Sequence, residues 1–380
     1  MHIVHVANYY APHSGGMRTT MHHLGAGYRA AGHDYTMVIP GPGHRVEETP
    51  FGTRISLPSV PLPGTGYSVI PSSHPVRRVL LDVGADHLEV SDRTTLRRLG
   101  GWAHDHGIPS VLFAHERLDH WIRRFTTLPP HDFDERRARI ADRMNRTSLA
   151  DYDRIVATTD YAARQFERLA PGTVDHIPLG ADVDAFSPAH RSADVRARFV
   201  GDGEVLLVHV GRLSPEKSPE IAVDALRVLR SRGLPARLVI AGDGSSRARL
   251  ERRAADLPVS FLGFLHGRSQ VARLLASADV SLNPGPIETF CLSAVEALAS
   301  GTPVVAARSS ALGEIVADGA GEVSDPTPES FADGVERVLA RPEAERRRAA
   351  AERGSTFRWE RTVELMLALH ADIGRPTAAA

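Results

Sequence analysis

The segment Val205-Leu-Leu-Val-His-Val-Gly-Arg-Leu-Ser-Pro-Glu-Lys-Ser-Pro219 decides the fold. Its first six residues are an apolar run of strand length, and a loop with glycine and proline follows directly. Ser218 and Pro219 then predict a helix start, with serine as the N-cap and proline at the first helical position. A strand, a loop and a helix in this order are typical of Rossmann-type domains, whose ligands bind beyond the carboxyl ends of parallel strands.

Apolar strands alternate with helical stretches on both sides of this segment. The segment from Ile177 to Pro188 contains turn formers without helical period and predicts a crossing between two domains. The predicted strands are His2–Asn8, Tyr35–Ile39, Leu88–Val90, Val111–Ala114 and Arg154–Thr158 before the crossing, and Val205–Val210, Arg237–Ala241, Ser260–Leu262, Val280–Leu282 and Val304–Ala306 after it. Residues 50–75, rich in Pro, Gly and Ser, predict an irregular excursion.

The length of the chain agrees with two domains. A chain of 380 residues exceeds the usual size of a single core, so we expect an α/β protein with domains at residues 1–180 and 181–357. A last helical stretch, about Trp359 to Ala371, is expected to pack back on the first domain within residues 358–380.

Composition excludes several classes of function. A formal net charge of −1 provides no general attraction for nucleic acid, so phosphate recognition must be local. Cys291 is the single cysteine, and none of the nineteen histidines forms an H-E-x-x-H motif, so no metal site is predicted. The N-terminus shows no signal-peptide pattern and no apolar run approaches the ~20 residues of a membrane span, which predicts a cytoplasmic protein.

Two cations lie where a phosphate group would bind. Arg212 and Lys217 precede a predicted helix, whose positive N-terminal end should repel them. An anion such as a diphosphate, placed between the cations and the helix end, would explain both. The alternative is that Glu216 and solvent satisfy the two cations.

Two glutamates, Glu288 and Glu296, lie eight residues apart around the predicted start of a later helix. Glu288 ends a Pro/Gly loop, and Glu296 lies among Ala, Val and Leu on a helix predicted from about Phe290. A partly buried carboxylate needs hydrogen-bond partners, which ribose hydroxyls or a neighbouring arginine would provide. The N–H groups of Phe290, Cys291 and Leu292 would be unpaired at the helix start and can bind a phosphate or sugar oxygen. This layout suits a nucleotide sugar, because that ligand has hydroxyl groups at both ends and negative charge between them.

Further candidates lie in other loops that follow strands. Gly242 and Gly244 permit close approach of a ligand or form a tight turn. The backbone of Phe264 and Leu265 is a candidate for contacting a nucleobase edge, with a simple turn as the alternative. In the first domain, the pair Gly15-Gly16 would let a phosphate approach a helix predicted near Thr19, with a tight turn as the alternative. His115 ends a strand and is a candidate for hydrogen bonding to a sugar hydroxyl, although a lone histidine is often structural.

Together these loops resemble those of the retaining glycosyltransferases of family 4, which have the GT-B fold. The matching features are Gly15-Gly16, His115, Pro178–Asp182, Gly211-Arg212 with Glu216-Lys217, and Glu288 with Glu296. The resemblance runs over nearly the whole chain. It implies two Rossmann-like domains facing across a cleft, the first for the acceptor and the second for the nucleotide sugar, with a C-terminal helix returning to the first domain.

A narrower resemblance concerns the donor. The segments Leu62–Gly66, Leu88–Arg93 and His115–Asp119 look like those of actinobacterial mannosyltransferases of the phosphatidylinositol mannoside type. This implies GDP-mannose as the donor, with a UDP-sugar as the alternative. The acceptor would be a lipid-linked or small-molecule glycoside, and Trp121–Phe125, which mixes aromatic and basic residues, is a candidate for an acceptor entrance or a contact with the inner membrane face, or is an ordinary surface helix.

The resemblance also implies a role for each candidate residue. Arg212 and Lys217 would bind the donor diphosphate, Glu288 the sugar hydroxyls and Glu296 the ribose hydroxyls. The N–H groups of Phe290 to Leu292 would contact sugar or phosphate, Gly16 would approach the β-phosphate, and His115 would contact the sugar near its reacting face. Ser218 and Cys291 depart from the family pattern, which often has glycine at both positions; Ser218 is harmless as an N-cap, whereas Cys291 would border the sugar pocket.

The mechanism that follows is retaining, with front-face attack assisted by the leaving phosphate. No metal is required if Arg212, Lys217 and the helix dipole neutralise the diphosphate. The alternatives are a GT-B sugar-nucleotide epimerase, a non-catalytic sugar-binding protein and an NAD-dependent oxidoreductase. Against the last, the turn at Gly242 and Gly244 lacks the third glycine of G-x-G-x-x-G.

Overall fold

The computed structural model describes residues 1–10, 15–63, 65–119, 133–316 and 319–374. The chain divides into two compact units: unit 1 is Met1–Leu179 with Trp359–Ala380, and unit 2 is Gly180–Arg358. Each is an α/β domain on a largely parallel sheet, which confirms the predicted fold class. The segment Trp121–Phe125 lies outside the described residues, so its predicted acceptor or membrane role stays a prediction.

Unit 1 is built on a sheet of eight strands. Strands β1–β10 are His2–Ala7, Asp34–Gly41, Arg45–Thr49, Gly52–Pro58, Val60–Leu62, Tyr67–Val69, His87–Ser91, Ser110–Phe113, Arg154–Ala157 and Val174–His176. Helices α1–α5 are Gly16–Ala30, His74–Asp82, Leu99–Asp105, Phe133–Asp151 and Asp160–Glu167. The sheet order is β10-β9-β8-β7-β1-β2-β4-β3, and only the edge strand β3 is antiparallel to its neighbour. The order reverses between β1 and β7, where ligands of such sheets bind.

Two boundaries in unit 1 differ from the prediction. Residues 50–75 are not irregular, because they contain β4, the β5–β6 hairpin and the start of α2. Ile55 and Leu57 alternate with more exposed residues and pack into the core, while Gly52 and Pro58 lie at the two ends of β4. Helix α1 begins at Gly16 and not near Thr19, so the glycine pair lies at the helix terminus itself.

Unit 2 has six parallel strands in the doubly wound order. Strands β11–β16 are Val205–Val210, Ala236–Ala241, Val259–Gly263, Val280–Asn283, Val304–Ala307 and Gly321–Ser324. Helices α6–α13 are Ala193–Ala197, Pro219–Ser231, Arg247–Arg253, Arg268–Ser277, Leu292–Ala299, Leu312–Ile315, Pro328–Leu339 and Glu343–Gly354, with short 3-10 turns at Pro188–His190 and Pro215–Lys217. The sheet order β13-β12-β11-β14-β15-β16 reverses between β11 and β14. Loops after these two strands therefore meet at the switch point where a ligand binds.

The last described helix, α14 (Trp359–Ile373), belongs to unit 1. The ring of Trp359 stacks on His23 of α1 at 4.6 Å between centroids, and Val363 fills the space that a side chain at Gly27 would occupy. Glycine at this position of α1 allows the two helices to approach closely. The predicted return of the final helix to the first domain is confirmed.

Candidate functional site

The predicted cations and the first glutamate meet at the switch point of unit 2. Arg212 and Lys217 lie in the loop after β11, and Glu288 lies in the loop after β14, the neighbouring strand. The Lys217 ammonium forms an ion pair with the Glu288 carboxylate. Residues 71 positions apart in the sequence are therefore joined at the sheet edge where a ligand is expected.

Electrostatics keep Lys217 charged. Burial lowers the pKa of its amine, but the adjacent Glu288 carboxylate outweighs burial and raises the pKa above the ordinary value. Nη1 of Arg212 lies 3.8 Å from Oε1 of Glu216, so one of the two cations does have the acidic neighbour that the alternative interpretation foresaw. Lys217 does not, since its partner is Glu288. It is also the single lysine in the 380-residue sequence, which otherwise uses arginine for its cations.

Both departures from the family's glycine pattern lie in left-handed backbone. Ser218 precedes α7 with φ 46° and ψ 46°, and Cys291 precedes α10 with φ 72° and ψ 81°. The prediction that Ser218 is an ordinary serine cap is wrong: its side chain does not cap α7, because a capping serine needs extended backbone. Left-handed geometry favours glycine, so each side chain carries a steric cost of about 1 kcal/mol.

Gly242 and Gly244 support the Arg212 loop. A side-chain carbon at Gly242 would lie 1.8 Å from the carbonyl oxygen of Gly211, and one at Gly244 would lie 2.4 Å from that of Leu213. Their N–H groups are also engaged: that of Gly242 donates to the carbonyl of Gly263, and that of Gly244 to the Asp243 carboxylate. Close packing between the two loops explains both glycines, and the structure gives their N–H groups partners within the protein.

The start of α10 presents backbone groups near the ion pair. Helix α10 begins at Leu292, two residues later than predicted, and the first N–H groups of a helix have no acceptor within it. Phe290 is buried, and its ring packs edge-on against Phe357. The Cys291 sulfur lies 3.7 Å from Oδ1 of Asn283 and 3.5 Å from Oγ of Ser293. Burial, reinforced by Glu288, raises the pKa of this thiol to about 11, so it remains protonated.

Glu296 holds its proton more strongly than an ordinary glutamate. Burial raises its pKa to about 7, while Arg268 opposes and Asp182 reinforces the shift. Arg268 lies close enough to lower the pKa of Glu296 but forms an ion pair with Asp182, at 2.9 Å. The arginine alternative is therefore incomplete, because the nearby cation is shared with a second carboxylate. Phe264 and Leu265 follow β13, and Phe264 is 40% exposed beside the His266 ring.

In unit 1, Gly15 and Gly16 open α1 after β1. Both are exposed, and the N–H of Thr19 donates to the carbonyl of Gly15. Within the described chain, no heavy atom from beyond the adjoining residues lies within 4 Å of the position that a side-chain carbon would take at either glycine. A helix start of this kind leaves room for an anion.

His115 follows β8 and borders a small cavity. Tyr9, Met17, Ser91, Asp92, Arg93, Phe113 and Glu116 line the cavity with it. Nε2 of His115 is hydrogen-bonded to the Ser91 hydroxyl at 2.9 Å. Burial, with help from His5, lowers the pKa of His115 to about 3, so its ring is neutral at physiological pH.

The sequence analysis did not identify the polar chain behind His115. Ser91 also bonds His5, which contacts Glu89, and Glu89 in turn contacts His370 of α14. The sequence did offer a signal, because His5 and Glu89 each lie between two apolar residues of a strand. Buried polar groups of this kind require partners, and strand pairing alone would have brought these two together.

Metal-ligand clusters and long apolar helices are both absent from the described residues. No group of three or more His, Cys, Asp or Glu side chains suited to a metal ion occurs among them. Nor is any of their helices long and apolar enough to cross a membrane.

Comparison with known sequences identifies relatives over the whole chain. Residues 14–185 match the family described as Glycosyltransferase Family 4, and residues 191–356 match that described as Glycosyl transferases group 1. The GDP-mannose-dependent alpha-(1-6)-phosphatidylinositol dimannoside mannosyltransferase of Mycobacterium tuberculosis (strain ATCC 25177 / H37Ra) is 46% identical over 375 residues, 97% of this chain and 95% of the relative. A D-inositol 3-phosphate glycosyltransferase of Saccharomonospora viridis is 35% identical over 72% of this chain and 67% of its own length.

Solved structures share the fold. Sucrose-phosphate synthase from Thermosynechococcus elongatus superposes with a TM-score of 0.77 at 20% identity, covering 98% of this chain and 99% of the other. The Anabaena protein HepE, solved with UDP, gives a TM-score of 0.75 at 18% identity, covering 98% of this chain and all of the other. At these identities the likeness concerns the fold alone.

Proposed function

The chain belongs to the family 4 glycosyltransferases, and we propose that it transfers mannose from GDP-mannose to a mannosylated phosphatidylinositol, forming an α-(1→6) linkage. The donor and acceptor classes are those in the name of the relative that is 46% identical over 97% of the chain. The observation that carries the proposal is the meeting of Lys217 and Glu288 at the switch point of unit 2. A lipid-linked acceptor also implies peripheral contact with the inner membrane face and a cytoplasmic site of action.

The Lys217–Glu288 pair explains how this site would accept a nucleotide sugar. A diphosphate brings negative charge to Lys217 and Arg212, and so competes with Glu288 for the lysine. Once the diphosphate has replaced Glu288 as the partner of Lys217, the Glu288 carboxylate can accept hydrogen bonds from sugar hydroxyls, since an ionised carboxylate only accepts. The ion pair therefore keeps two partly buried charges satisfied until the donor binds.

The other residues are assigned roles from the loops in which they lie and from the resemblance to the family. The N–H groups of Phe290 to Leu292 would bind a phosphate or sugar oxygen at the start of α10. Glu296 would bind the ribose hydroxyls, and the exposed backbone around Phe264 and Leu265 the guanine edge. In unit 1, Gly15 and Gly16 would admit the β-phosphate to the start of α1, and His115 would contact the sugar. Gly242 and Gly244 would act through the Arg212 loop that they support.

The reaction would retain the anomeric configuration. The bond from sugar C1 to the diphosphate oxygen breaks, the acceptor oxygen bonds to C1 on the same face, and the acceptor proton passes to the departing phosphate. Arg212, Lys217 and the N-terminus of α10 would stabilise the charge that develops on the leaving diphosphate. Such fixed cations contribute more in a water-excluded site than in solvent.

A panel of nucleotide sugars tests the donor assignment. Many glycosyltransferases hydrolyse their donor slowly without acceptor, so release of nucleotide can be measured with GDP-mannose, GDP-glucose, UDP-glucose and UDP-N-acetylglucosamine. We expect GDP-mannose to be hydrolysed fastest. Turnover of UDP-sugars with GDP-mannose inert would refute the mannosyl assignment, and formation of an epimeric nucleotide sugar would indicate an epimerase.

A further inference from the structure

We infer that His209 binds the donor: its Nε2 accepts a hydrogen bond from a hydroxyl of the transferred sugar. His209 is the one polar residue of β11 and lies near the carboxyl end of that strand, just before Gly211. The identity of the donor rests on the proposed function. The state of the imidazole ring and its response to a ligand can be measured without turnover.

The neighbouring strand anchors one side of the ring. Nδ1 of His209 lies 2.9 Å from the backbone carbonyl oxygen of Leu282 in β14. A carbonyl oxygen only accepts hydrogen bonds, so Nδ1 carries the hydrogen and donates it. Strands β11 and β14 are those between which the sheet order reverses, and His209 therefore lies at the edge where ligands of such sheets bind.

The other ring nitrogen is an acceptor without a donor. Burial lowers the pKa of His209, and although the Leu282 carbonyl and Glu288 oppose the shift, Lys217 adds to it. The ring is therefore neutral at physiological pH, with a lone pair on Nε2. His209 is 3% exposed, and Nε2 has no hydrogen-bond partner among the described residues. Such an atom is uncommon in a folded protein, because an unpaired buried acceptor costs stability.

Room for a ligand atom lies beside this nitrogen. A side-chain carbon at Gly211 would lie 3.9 Å from Nε2 of His209. Within the described chain, no other heavy atom from beyond the adjoining residues would lie within 4 Å of that carbon. Gly211 begins the loop that carries Arg212 and Lys217, so this room lies where the proposed donor binds.

The group that occupies this room must donate a hydrogen bond. The oxygens of an ionised diphosphate only accept, so they do not suit the lone pair on Nε2. A sugar hydroxyl can donate to Nε2 of His209 and still accept from another group. Because Nε2 is closed to water, a hydroxyl that reaches it meets no competing solvent. The movement that admits it is the separation of Lys217 from Glu288 when the diphosphate binds.

Charges around the ring favour the sugar end of the donor over the ribose. Lys217 and Glu288 both act on the pKa of His209, and the proposed function assigns the sugar hydroxyls to Glu288. The pKa of Glu296, which is assigned to the ribose, responds to a different pair of charges. His209 and Glu288 would therefore be two acceptors for hydroxyls of the same sugar.

Nuclear magnetic resonance of the full chain labelled with ¹⁵N-histidine tests the inference, with the His209 signals identified by their loss in His209→Asn. In the free protein we expect hydrogen on Nδ1 and none on Nε2. GDP-mannose should move the Nε2 signal toward that of a nitrogen accepting a hydrogen bond, whereas GDP, which lacks the sugar, should move it much less. An Nε2 signal unmoved by saturating GDP-mannose, an equal shift with GDP, or hydrogen on Nε2 in either complex would overturn the inference.

Calorimetry of variants gives a second readout. The amide of His209→Asn can still donate to the Leu282 carbonyl but has no atom in place of Nε2. We expect GDP-mannose to bind it about tenfold more weakly, the effect of one lost buried hydrogen bond, with GDP within about twofold. Thr302→Val is the matched control, because it removes another buried hydrogen bond to a backbone carbonyl, that of Leu275, and should change neither affinity by more than about twofold. Equal losses of GDP-mannose and GDP affinity in His209→Asn would indicate a structural role and refute the inference.

Gly211→Ala tests the room beside Nε2 without removing the histidine. Its added carbon makes an ordinary contact at 3.9 Å, so the variant should fold, bind GDP-mannose at least about tenfold more weakly and lose the Nε2 shift. Unchanged GDP-mannose binding in Gly211→Ala would contradict the inference. A wild type that does not bind GDP-mannose would refute the proposed donor instead, and the shift would then be measured with the nucleotide sugar that the enzyme hydrolyses.

Discussion

The Lys217 ammonium and the Glu288 carboxylate form an ion pair that joins the loop after β11 to the loop after β14. In the doubly wound sheet of unit 2 these two strands are neighbours at the reversal of strand order. A ligand that binds there meets both charges.

Replacing Lys217 removes a cation that would stabilise the leaving diphosphate. Lys217→Ala should lower kcat/KM for GDP-mannose by about 10²-fold, measured from released GDP. Arg232→Ala is a matched control, since Arg232 lies beyond the opposite end of α7 and pairs with Asp333 and Glu336. An unchanged kcat/KM in Lys217→Ala would show that Lys217 does not act on the donor diphosphate.

The single lysine also permits a chemical test that needs no turnover. Apart from the α-amino group, Lys217 is the one amine available to a lysine-selective reagent such as formaldehyde with a reducing agent. Glu288 raises the pKa of Lys217, so Glu288→Gln should increase the neutral amine fraction and speed its modification. Mass spectrometry of the Lys217 peptide measures the rate. GDP should slow the modification of Lys217 in the wild type. A modification rate that changes neither with GDP nor in Glu288→Gln would contradict the pairing.

Donor affinity should depend on the protonation of Glu296. Its pKa is raised to about 7 by burial, so part of the population is protonated below that pH, whereas ribose hydroxyls bind best to the ionised form. The affinity for GDP-mannose should therefore rise between about pH 6 and 8. GDP-mannose is preferable to GDP as the probe, because its diphosphate has no group titrating near pH 6.

Glu296→Gln is the control for this pH dependence. The amide cannot titrate, so the affinity measured by calorimetry should be lower at pH 8 and flat across the range. The same raised pKa destabilises the fold as pH rises: the stability contribution of protonated Glu296 is complete below the unfolded pKa near 4.5 and lost through about 7. Parallel pH profiles in the wild type and Glu296→Gln would disprove a ribose role for this carboxylate.

Left-handed backbone at Ser218 predicts a stabilising substitution. Ser218→Gly relieves the steric cost at φ 46° and removes no bond that caps α7; it does remove the long bond, 3.4 Å, from the Ser218 hydroxyl to the Pro215 carbonyl. We expect the Tm to rise by about 1–3 °C in thermal denaturation. Ser73 is the matched control, being a residue before a helix that makes no capping bond at φ −72°. Ser73→Gly should lower the Tm, and a fall of similar size in Ser218→Gly would contradict the argument.

Most of the fold could be predicted because strands, turns and helix starts depend on the residues of short segments. The strand of Val205 to Val210, Gly211 after it and the proline at Pro219 each carry their own conformational preference, and the structure places β11 and α7 accordingly. The α/β class, the return of the last helix and the family followed from such segments. The assignment of donor residues remains a prediction, although Lys217 and Glu288 do meet.

Features that depend on packing were not predictable from the same patterns. Residues 50–75 look irregular because they are rich in proline, glycine and serine, whereas pairing with β2 and β3 makes residues 52–58 a strand. Ser218 has a good capping sequence, but the preceding 3-10 turn places it in left-handed backbone. The series of polar contacts from Glu89 to His115 depends on which strands are neighbours in the sheet. The order of strands in a sheet cannot be predicted from any single segment.

Transfer of mannose to a defined acceptor is the most direct test of the proposed function. The enzyme would be incubated with GDP-mannose and phosphatidylinositol dimannoside in mixed micelles, and the lipid product analysed by mass spectrometry and by the anomeric proton signal of the added sugar. We predict a trimannoside with an α-(1→6) linkage and one GDP released for each sugar added. Release of GDP without any mannosylated lipid, or a product of β configuration, would contradict a retaining mannosyltransferase acting on this lipid.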